Sequence, residues 1–332
     1  MNITQSKYDI IGDVHGYATP LRQLLDQLGY SQDENADWHH DEGRQLIFVG
    51  DLIDRGPEQK DTLHLVRSLV ESDMAKCILG NHEYSILRLH IERSNGKGPV
   101  QSLADSRNQH KAFFDQLTKE EIDDILPFLF SLPIYLDLPE FRVVHAYYSQ
   151  DYIDYLTENH VLTPEGRFKN EAVFTLVAHQ NGPTDLKERL EALIKGPVVR
   201  FPEPFRDHVD EPRKRCRIKW WLNTDDVRDM IDFSDKKNPG LRYKYSADEI
   251  DTSFLPSPIR YSDDKPLFFG HYWMRAAVPH VISSKLACTD FSVSSEDKLA
   301  AYRFQGESEL NSDHFQWVDV HPRTNPLTIS PQ

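Results

Sequence analysis

Three apolar stretches in the first third of the chain each end in a glycine that is followed at once by acidic, amide or imidazole side chains. The three segments are Gly12-Asp13-Val14-His15-Gly16, Gly50-Asp51-Leu52-Ile53-Asp54-Arg55-Gly56 and Gly80-Asn81-His82-Glu83. In an open α/β sheet, the carboxyl ends of neighbouring strands meet at one crevice. Side chains that follow these stretches are therefore expected to converge, although they lie far apart in the sequence.

The first segment indicates that the converging side chains bind a metal ion. Asp13 and His15 are two positions apart, so an extended backbone directs both side chains to the same side. A carboxylate oxygen and an imidazole nitrogen are suitable ligands for a divalent ion. Two later apolar stretches end at His145 and at His271, and they add two imidazoles at strand ends.

Helical periodicity follows each of the three segments, which predicts repeated strand–helix units and an α/β fold. Thr19 and Pro20 are expected to begin the first helix as N-cap and first-turn proline, and Gly29 to end it. Apolar residues at helical spacing predict further helices over 58–72 and 82–92.

The second half of the chain is expected to complete a second sheet. Residues 134–138 and 141–144 flank a Pro-Glu turn and predict a hairpin that delivers His145 to the site. The stretches 278–288, 299–304 and 315–320 are interpreted as antiparallel strands of this second sheet. Residues 197–266 are rich in Pro, Asp, Arg and Lys, and they predict an insertion or lid over the crevice within a single domain spanning 1–332.

Composition narrows the classes of partner. The 332 residues include 38 Lys and Arg against 53 Asp and Glu, a formal charge of -15, which opposes adhesion to nucleic acids or anionic membranes. The first seven residues lack the apolar core of a signal peptide. Three cysteines without a Cys-x-x-Cys pair suit a reducing compartment, so a cytoplasmic location is expected.

In order and spacing, the three segments resemble the signature motifs of the calcineurin-like metallophosphoesterases, and within them those of the phosphoprotein phosphatases. The resemblance covers residues 8–145 and resumes at Gly270-His271. It implies an α/β fold in which two mixed β-sheets pack as a sandwich flanked by helices.

The resemblance also implies a centre of two divalent metal ions. Asp51 would bridge the ions, Asp13 and His15 would complete one site, and the other site would be completed by Asn81, His145 and His271. Manganese is the expected ion, and iron, zinc, nickel and cobalt are alternatives because these ligands accept all of them.

The implied reaction is hydrolysis of a phosphate monoester by direct attack of a metal-bridging hydroxide, without a phosphoenzyme. His82 is similar to the general acid of the family, Asp54 would orient its imidazole, and the planar fork of Arg55 suits phosphate oxygens. The substrate would be a phosphoprotein, an aryl phosphate or a nucleotide. Each motif alone also fits a turn or a loop ion pair, but their ordered combination favours the metal site.

Two other functions remain open. The stretch Phe269-Gly270-His271-Tyr272-Trp273 resembles the bacterial diadenosine tetraphosphatases, which indicates a dinucleoside polyphosphate hydrolase as the alternative enzyme. A non-catalytic metal-binding scaffold is the alternative from another class, although such a protein has no need of a proton donor beside its ligands.

Two candidate substrate-binding residues lie outside the three motifs. Arg217, in a run of basic residues, is a candidate second phosphate-binding arginine, with a surface ion pair as the structural alternative. Tyr272 follows His271 and is a candidate for stacking on an aryl group or a nucleobase, with core packing as the alternative.

Overall fold

Two mixed β-sheets pack face to face at the centre of the protein. The computed structural model describes residues 7–94, 108–179, 182–206, 212–232, 243–295 and 298–320. The first sheet has the order β13-β12-β1-β4-β5 and the second the order β11-β10-β7-β6. The strands are β1 (Tyr8–Ile11), β2 (Tyr30–Gln32), β3 (Trp38–His40), β4 (Gln45–Phe48), β5 (Ala75–Cys77), β6 (Tyr135–Asp137), β7 (Arg142–Val144), β8 (Val198–Arg206), β9 (Pro212–Arg217), β10 (Leu267–Phe269), β11 (Leu286–Cys288), β12 (Lys298–Phe304) and β13 (Phe315–Asp319).

The alternation of side chains along the strands explains the layering. In β1, Ile10 packs into the core between the two sheets, whereas Ile11 faces the core beneath the helices. Aromatic rings link the sheets, since the ring centroids of Phe141 and Phe304 are 4.5 Å apart. The α/β sandwich expected from the sequence is confirmed.

The first three helices follow the three motif loops. They are α1 (Ala18–Leu28), α2 (Gln59–Glu71) and α3 (Asn81–Ser94), and β1, β4 and β5 before them run parallel. Gly29 ends α1 with a φ of 96°, as expected. The predicted N-cap was wrong, because α1 begins after Tyr17 and Thr19 instead donates from Oγ1 to Glu58 Oε1 at 2.5 Å.

The described part of the chain contains further helices after α3. They are Lys111–Gln116, Lys119–Ser131, Gln150–Glu158, Glu171–Ala178, Thr184–Lys195 and the short Val227–Met230. In the described part of the chain, no helix has both the length and the apolar character required to cross a bilayer.

The assignment of the last strands to the second sheet was wrong in part. The hairpin of β6 and β7 forms as predicted, and β11 joins that sheet parallel to β10. However, β12 pairs antiparallel with β1 and with β13, so both C-terminal strands extend the first sheet. Residues 278–285, expected to be part of a strand, lie outside the named strands.

The described parts of 197–266 pack onto the main body. The antiparallel pair of β8 and β9 leads to Trp220, whose buried indole N–H donates to the Ala146 carbonyl at 2.9 Å. Val199 and Ile218 belong to the same hydrophobic core as α1 and α2. The lid function of this segment stays a prediction.

Candidate metal centre

The residues of the site lie on tight loops at the carboxyl ends of parallel strands. Several of them adopt the left-handed backbone region, which non-glycine residues enter at a cost of about 1–2 kcal/mol each. They are His15 (φ 48°), Asp51 (φ 51°), Asp54 (φ 73°), Arg55 (φ 69°) and His271 (φ 69°). Such backbone strain is typical of functional sites, where packing holds the side chains in one direction.

The motif glycines allow these loops to approach one another closely. A Cβ atom on Gly80 would lie 2.2 Å from the Asp51 amide nitrogen, and a Cβ atom on Gly12 would lie 2.0 Å from the Thr289 carbonyl oxygen. Both distances are too short for any side chain. Glycine at these positions is therefore required for the loops to meet.

Asp51 is the centre of the site. Its carboxylate oxygens lie 3.3 Å from His145 Nε2 and 3.7 Å from the Nε2 atoms of both His15 and His82, and all four side chains are buried. Burial raises the pKa of Asp51, but the neighbouring imidazoles, above all that of His145, hold it well below its usual range. The charged carboxylate is thus favoured at the point where two ligand groups meet.

Three imidazoles present one nitrogen to the centre and bond the other to the backbone. His15 Nδ1 lies 2.8 Å from the Ile53 carbonyl oxygen, His145 Nδ1 lies 2.7 Å from that of Val49, and His271 Nε2 lies 3.0 Å from that of Lys195. A carbonyl oxygen can only accept, so in each ring the outer nitrogen carries a hydrogen, and in the neutral ring the inner nitrogen keeps its lone pair. This is the outer support that metal-binding histidines have in proteins.

The inner atoms fit a divalent metal ion. His15 Nε2 is buried without a hydrogen-bond partner. One end of the Asn81 amide lies 3.2 Å from Asp51 Oδ2, 3.1 Å from His145 Nε2 and 2.6 Å from His271 Nδ1. With its oxygen at that end, the amide faces lone pairs on every side, an arrangement that a shared cation would stabilise.

The described residues contain three groups of histidine and aspartate whose ligand atoms lie within 4.8 Å of one another. They are His15–Asp51–His82, Asp51–His145–His271 and Asp54–His82–His110. Asp13 belongs to none of them; its carboxylate accepts from the His271 amide at 3.1 Å. Burial, together with the charges of Asp290 and Asp51, raises the pKa of Asp13 well above its usual value. Asp13 therefore lies outside these three groups but next to the predicted ligand His271.

The predicted proton donor is placed beside this centre. His82 Nδ1 lies 2.5 Å from Asp54 Oδ2, and its other nitrogen points toward Asp51. Burial lowers the pKa of His82, but the charges of Asp51 and Asp54 outweigh burial and raise it. The structure therefore places an imidazole with a raised pKa next to the predicted ligands.

Sequence reasoning missed three buried residues around the site. His110 bonds to Asp54, and Asp290 accepts from the Trp273 amide at 2.9 Å. Glu83 was noted only as part of its motif, yet its carboxylate accepts from four backbone amides of the second and third motifs, those of Gly80, Asp51, Leu52 and Ile53. The position of Glu83 in the first turn of α3 was a usable signal; no local pattern marks His110 or Asp290.

The three candidate substrate-binding residues differ in accessibility. Arg55 is exposed, its guanidinium stacks on Trp273 at 4.4 Å, and it donates to Ser294 Oγ at 2.7 Å. Arg217 is partly buried; it pairs with Asp232 at 3.2 Å and donates to the His271 carbonyl at 3.3 Å.

Tyr272 lies under Arg217. It is 4% exposed and donates its hydroxyl to the Ile218 carbonyl at 3.1 Å, while the Arg217 guanidinium lies 4.7 Å from its ring centroid. This burial agrees with the core-packing alternative, and stacking of Tyr272 on a substrate stays a prediction.

Comparison with known proteins agrees with this geometry. Residues 6–195 match the family model described as "Calcineurin-like phosphoesterase". A relative named bis(5'-nucleosyl)-tetraphosphatase PrpE [asymmetrical], from Oceanobacillus iheyensis, is 35% identical over 42% of this chain and 55% of its own. A relative from Aromatoleum aromaticum, named bis(5'-nucleosyl)-tetraphosphatase, symmetrical, is 30% identical over 41% of this chain and 42% of its own.

Among solved structures, one described as a putative diadenosine tetraphosphatase aligns over 96% of this chain and 95% of its own, with 18% identity and a TM-score of 0.47. The chain spans about half the length of the curated relatives that it matches. The family model covers more than half of the chain, and the chain therefore belongs to the calcineurin-like phosphoesterase family.

Proposed function

We propose that this protein is a metal-dependent phosphoric ester hydrolase that acts on phosphate monoesters. It would bind two divalent ions, and manganese is the expected ion. One observation carries the proposal. The Asp51 carboxylate lies between two groups of metal-ligating side chains, and the Asp54–His82 pair lies directly beside it.

When bound, two divalent ions supply an activated water and neutralise the phosphoryl oxygens. His15 and Asp13 would hold one ion, and Asn81, His145 and His271 the other, with Asp51 shared. The backbone carbonyls behind the three histidines keep their inner nitrogens free for this purpose.

His82 is assigned as the proton donor to the departing oxygen. Asp54 accepts from His82 Nδ1, which leaves Nε2 as the atom that gives up its proton. An alkoxide is a poor leaving group and needs this proton, whereas a nucleotide released from a polyphosphate leaves readily without it. The buried Asp54–His82 pair therefore favours a phosphate monoester as substrate.

Arg55 and Arg217 would bind the phosphoryl oxygens and those parts of the substrate that lie outside the metal centre. Arg55 is exposed beside the motif loops and offers a planar pair of donors. Arg217 is held by Asp232 and contacts the His271 backbone, so its guanidinium lies close to a predicted metal ligand.

The first test is hydrolysis of p-nitrophenyl phosphate by chelator-treated protein with and without added Mn²⁺. Activity that returns with the metal and is lost in Asp51→Asn would support the proposal. A wild type that stays inert over a range of metals and pH would contradict hydrolysis of aryl monoesters.

Hydrolysis of dinucleoside polyphosphates is the second candidate, because the curated relatives carry that activity in their names. Turnover of a phosphoserine peptide, p-nitrophenyl phosphate and diadenosine tetraphosphate should be compared with the same metal. A higher kcat/KM for the dinucleotide would replace the first candidate by the second. Unchanged hydrolysis in His82→Ala would instead favour the metal-binding scaffold, with the assay reading a contaminant.

A cytoplasmic location is part of the same proposal. The three cysteines form no disulfide in the described structure, and Cys77 and Cys288 are buried. Cysteines without disulfides suit a reducing compartment.

A further inference from the structure

Asp54 receives two imidazoles on one oxygen atom. His82 Nδ1 and His110 Nδ1 each lie 2.5 Å from Asp54 Oδ2, and all three side chains are buried. A carboxylate oxygen accepts but does not donate, so both rings carry hydrogen on Nδ1. Asp54 Oδ1 is buried with no hydrogen-bond partner among the described residues. The side-chain hydrogen bonds of Asp54 are thus concentrated on the oxygen that His82 uses.

His110 is held in place independently of Asp54. It directly precedes the helix Lys111–Gln116, which is fastened to the Asp54 loop at its other end. There, Gln116 accepts from the Gln59 amide at 2.9 Å and donates to the Gly56 carbonyl at 3.1 Å. The helix that follows His110 therefore forms its own hydrogen bonds with the loop of Asp54, and these hold the imidazole of His110 beside Asp54.

We propose that His110 is a positioning residue for the proton donor. By donating from Nδ1 to Asp54 Oδ2, it fixes the carboxylate that orients His82, and so keeps His82 Nε2 directed toward Asp51 and the substrate. This inference rests on the proposed function, because it requires that His82 protonates the departing oxygen.

The geometry explains why one donor is not enough. A carboxylate with a single partner can turn about its Cβ–Cγ bond, and no described residue forms a hydrogen bond with Oδ1. The rings of His82 and His110 lie at 90° to each other with centroids 6.0 Å apart, so they approach Oδ2 from different directions. Two such donors define the plane of the Asp54 carboxylate, which in turn defines the direction of His82.

The same three side chains do not form a metal site of their own. Ligand atoms about 2.1 Å from a shared ion lie roughly 3 Å or more apart. Both nitrogen-to-oxygen distances here are 2.5 Å, which are hydrogen-bond separations. His110 therefore acts on the reaction through Asp54 and transfers no proton itself, while the leaving oxygen receives its proton from His82 Nε2.

Three variants of His110 separate positioning from packing. His110→Phe keeps the ring volume and removes the hydrogen bond. His110→Asn places an amide nitrogen where Nδ1 lies, whereas His110→Gln places it nearer the position of Nε2. Lys111→Ala, at an exposed neighbouring position, is the matched control for the helix. Should His110→Phe fail to fold, the Asn and Gln pair still decides the question.

The decisive readout is the dependence of each effect on the leaving group. In Mn²⁺-loaded protein, His110→Phe and His110→Gln are expected to lower kcat about 10- to 100-fold for a phosphoserine peptide but less than about 3-fold for p-nitrophenyl phosphate, whose leaving group needs little protonation. KM should change little. His110→Asn should restore most of the activity toward the peptide, and Lys111→Ala should match wild type.

A spectroscopic readout checks the hydrogen bonds without using activity. In Zn²⁺-loaded protein with ¹⁵N-labelled histidine, two strongly downfield imidazole N–H protons are expected, one from each ring bonded to Asp54. His110→Phe should remove one and shift the other. A His82 resonance that does not respond to the loss of His110 would overturn the inference.

His82→Ala separates failure of the inference from failure of the proposed function. If His82→Ala lowers kcat equally for both substrates, the assignment of His82 as proton donor is wrong and the role of His110 falls with it. A second outcome is that His82→Ala lowers kcat only for the peptide, whereas His110→Phe affects both substrates equally or affects neither. In that case His82 is still the proton donor, but His110 does not position it.

Discussion

The backbone amide of Asp51 donates a hydrogen bond to the buried carboxylate of Glu83 at 2.9 Å. The same carboxylate accepts from the amide of Gly80, and from those of Leu52 and Ile53. One side chain on the first turn of α3 thus fixes the loop that carries the central aspartate. Burial, together with the charge of Asp51, raises the pKa of Glu83 to about 7.

Glu83→Gln is expected to loosen this loop, because the amide NH₂ of glutamine would face backbone N–H groups that need acceptors. Unfolding of the metal-free protein in urea should show a loss of about 1–3 kcal/mol, the usual cost of unsatisfied buried donors. Glu71→Gln, at the exposed end of α2, is the control and should be close to wild type. Equal stability of the two variants would argue against the role given to Glu83.

Metal binding should raise the free energy of unfolding, because the predicted ligands lie close together only in the folded chain. At a metal concentration 100-fold above Kd, linkage predicts about 2.7 kcal/mol of added stability and a matching rise in Tm. His271→Ala removes one ligand and should reduce this rise, whereas His39→Ala, at an exposed position, should not. A rise in Tm that is identical in wild type and His271→Ala would exclude His271 as a ligand.

The sequence predicted the part of the site that depends on local pattern. Each predicted ligand follows an apolar strand, directly at His145 and after a glycine in the other loops, and strand direction then brings Asp51, His145 and His271 together. His110 could not be found in this way, because its contact with Asp54 spans 56 positions and depends on how the helix Lys111–Gln116 packs. Tertiary packing, which no periodicity encodes, decides such contacts.

The fold shows the same division between local and distant information. The helices after the motifs were predicted, and so was the hairpin of β6 and β7. Their signals are local: helix caps, turn residues and the periodicity of apolar side chains. The placement of β12 was not predicted, because a strand that is apolar on both faces can pair with either sheet. Its choice of β1 depends on long-range packing, in which Tyr302 lies beside Phe268 with ring centroids 5.0 Å apart.

Arg55→Ala is expected to lower kcat/KM for p-nitrophenyl phosphate by about 10- to 100-fold, as loss of a charge-assisted contact to phosphate predicts. Arg55→Lys should recover only part, since an ammonium group cannot make the same paired contact. Arg189 is the matched control, because it also stacks on an aromatic ring, that of Tyr155 at 4.1 Å. If Arg189→Ala were as impaired as Arg55→Ala, the loss would reflect stability and not substrate binding.

The strand that leads into the first motif contains a buried ion pair whose loss should be costly. Arg44 is 2% exposed, and its guanidinium donates to Asp9 Oδ2 at 2.9 Å and to Asp9 Oδ1 at 2.8 Å, while the Tyr30 hydroxyl donates to the same carboxylate at 2.9 Å. Asp9→Ala would leave the buried guanidinium without its counter-charge, so unfolding in urea should show a loss of about 3–5 kcal/mol.

The exposed pair of Lys7 and Glu42, with a separation of 2.8 Å, provides the comparison for Asp9→Ala. Solvent screens such a pair, so Glu42→Ala should cost no more than about 1 kcal/mol. A double variant, Asp9→Ala with Arg44→Met, should regain much of the loss, because it removes the isolated charge and fills the space with an apolar side chain. A double variant as unstable as Asp9→Ala alone would show that Asp9 acts mainly through Tyr30 and the backbone of β1.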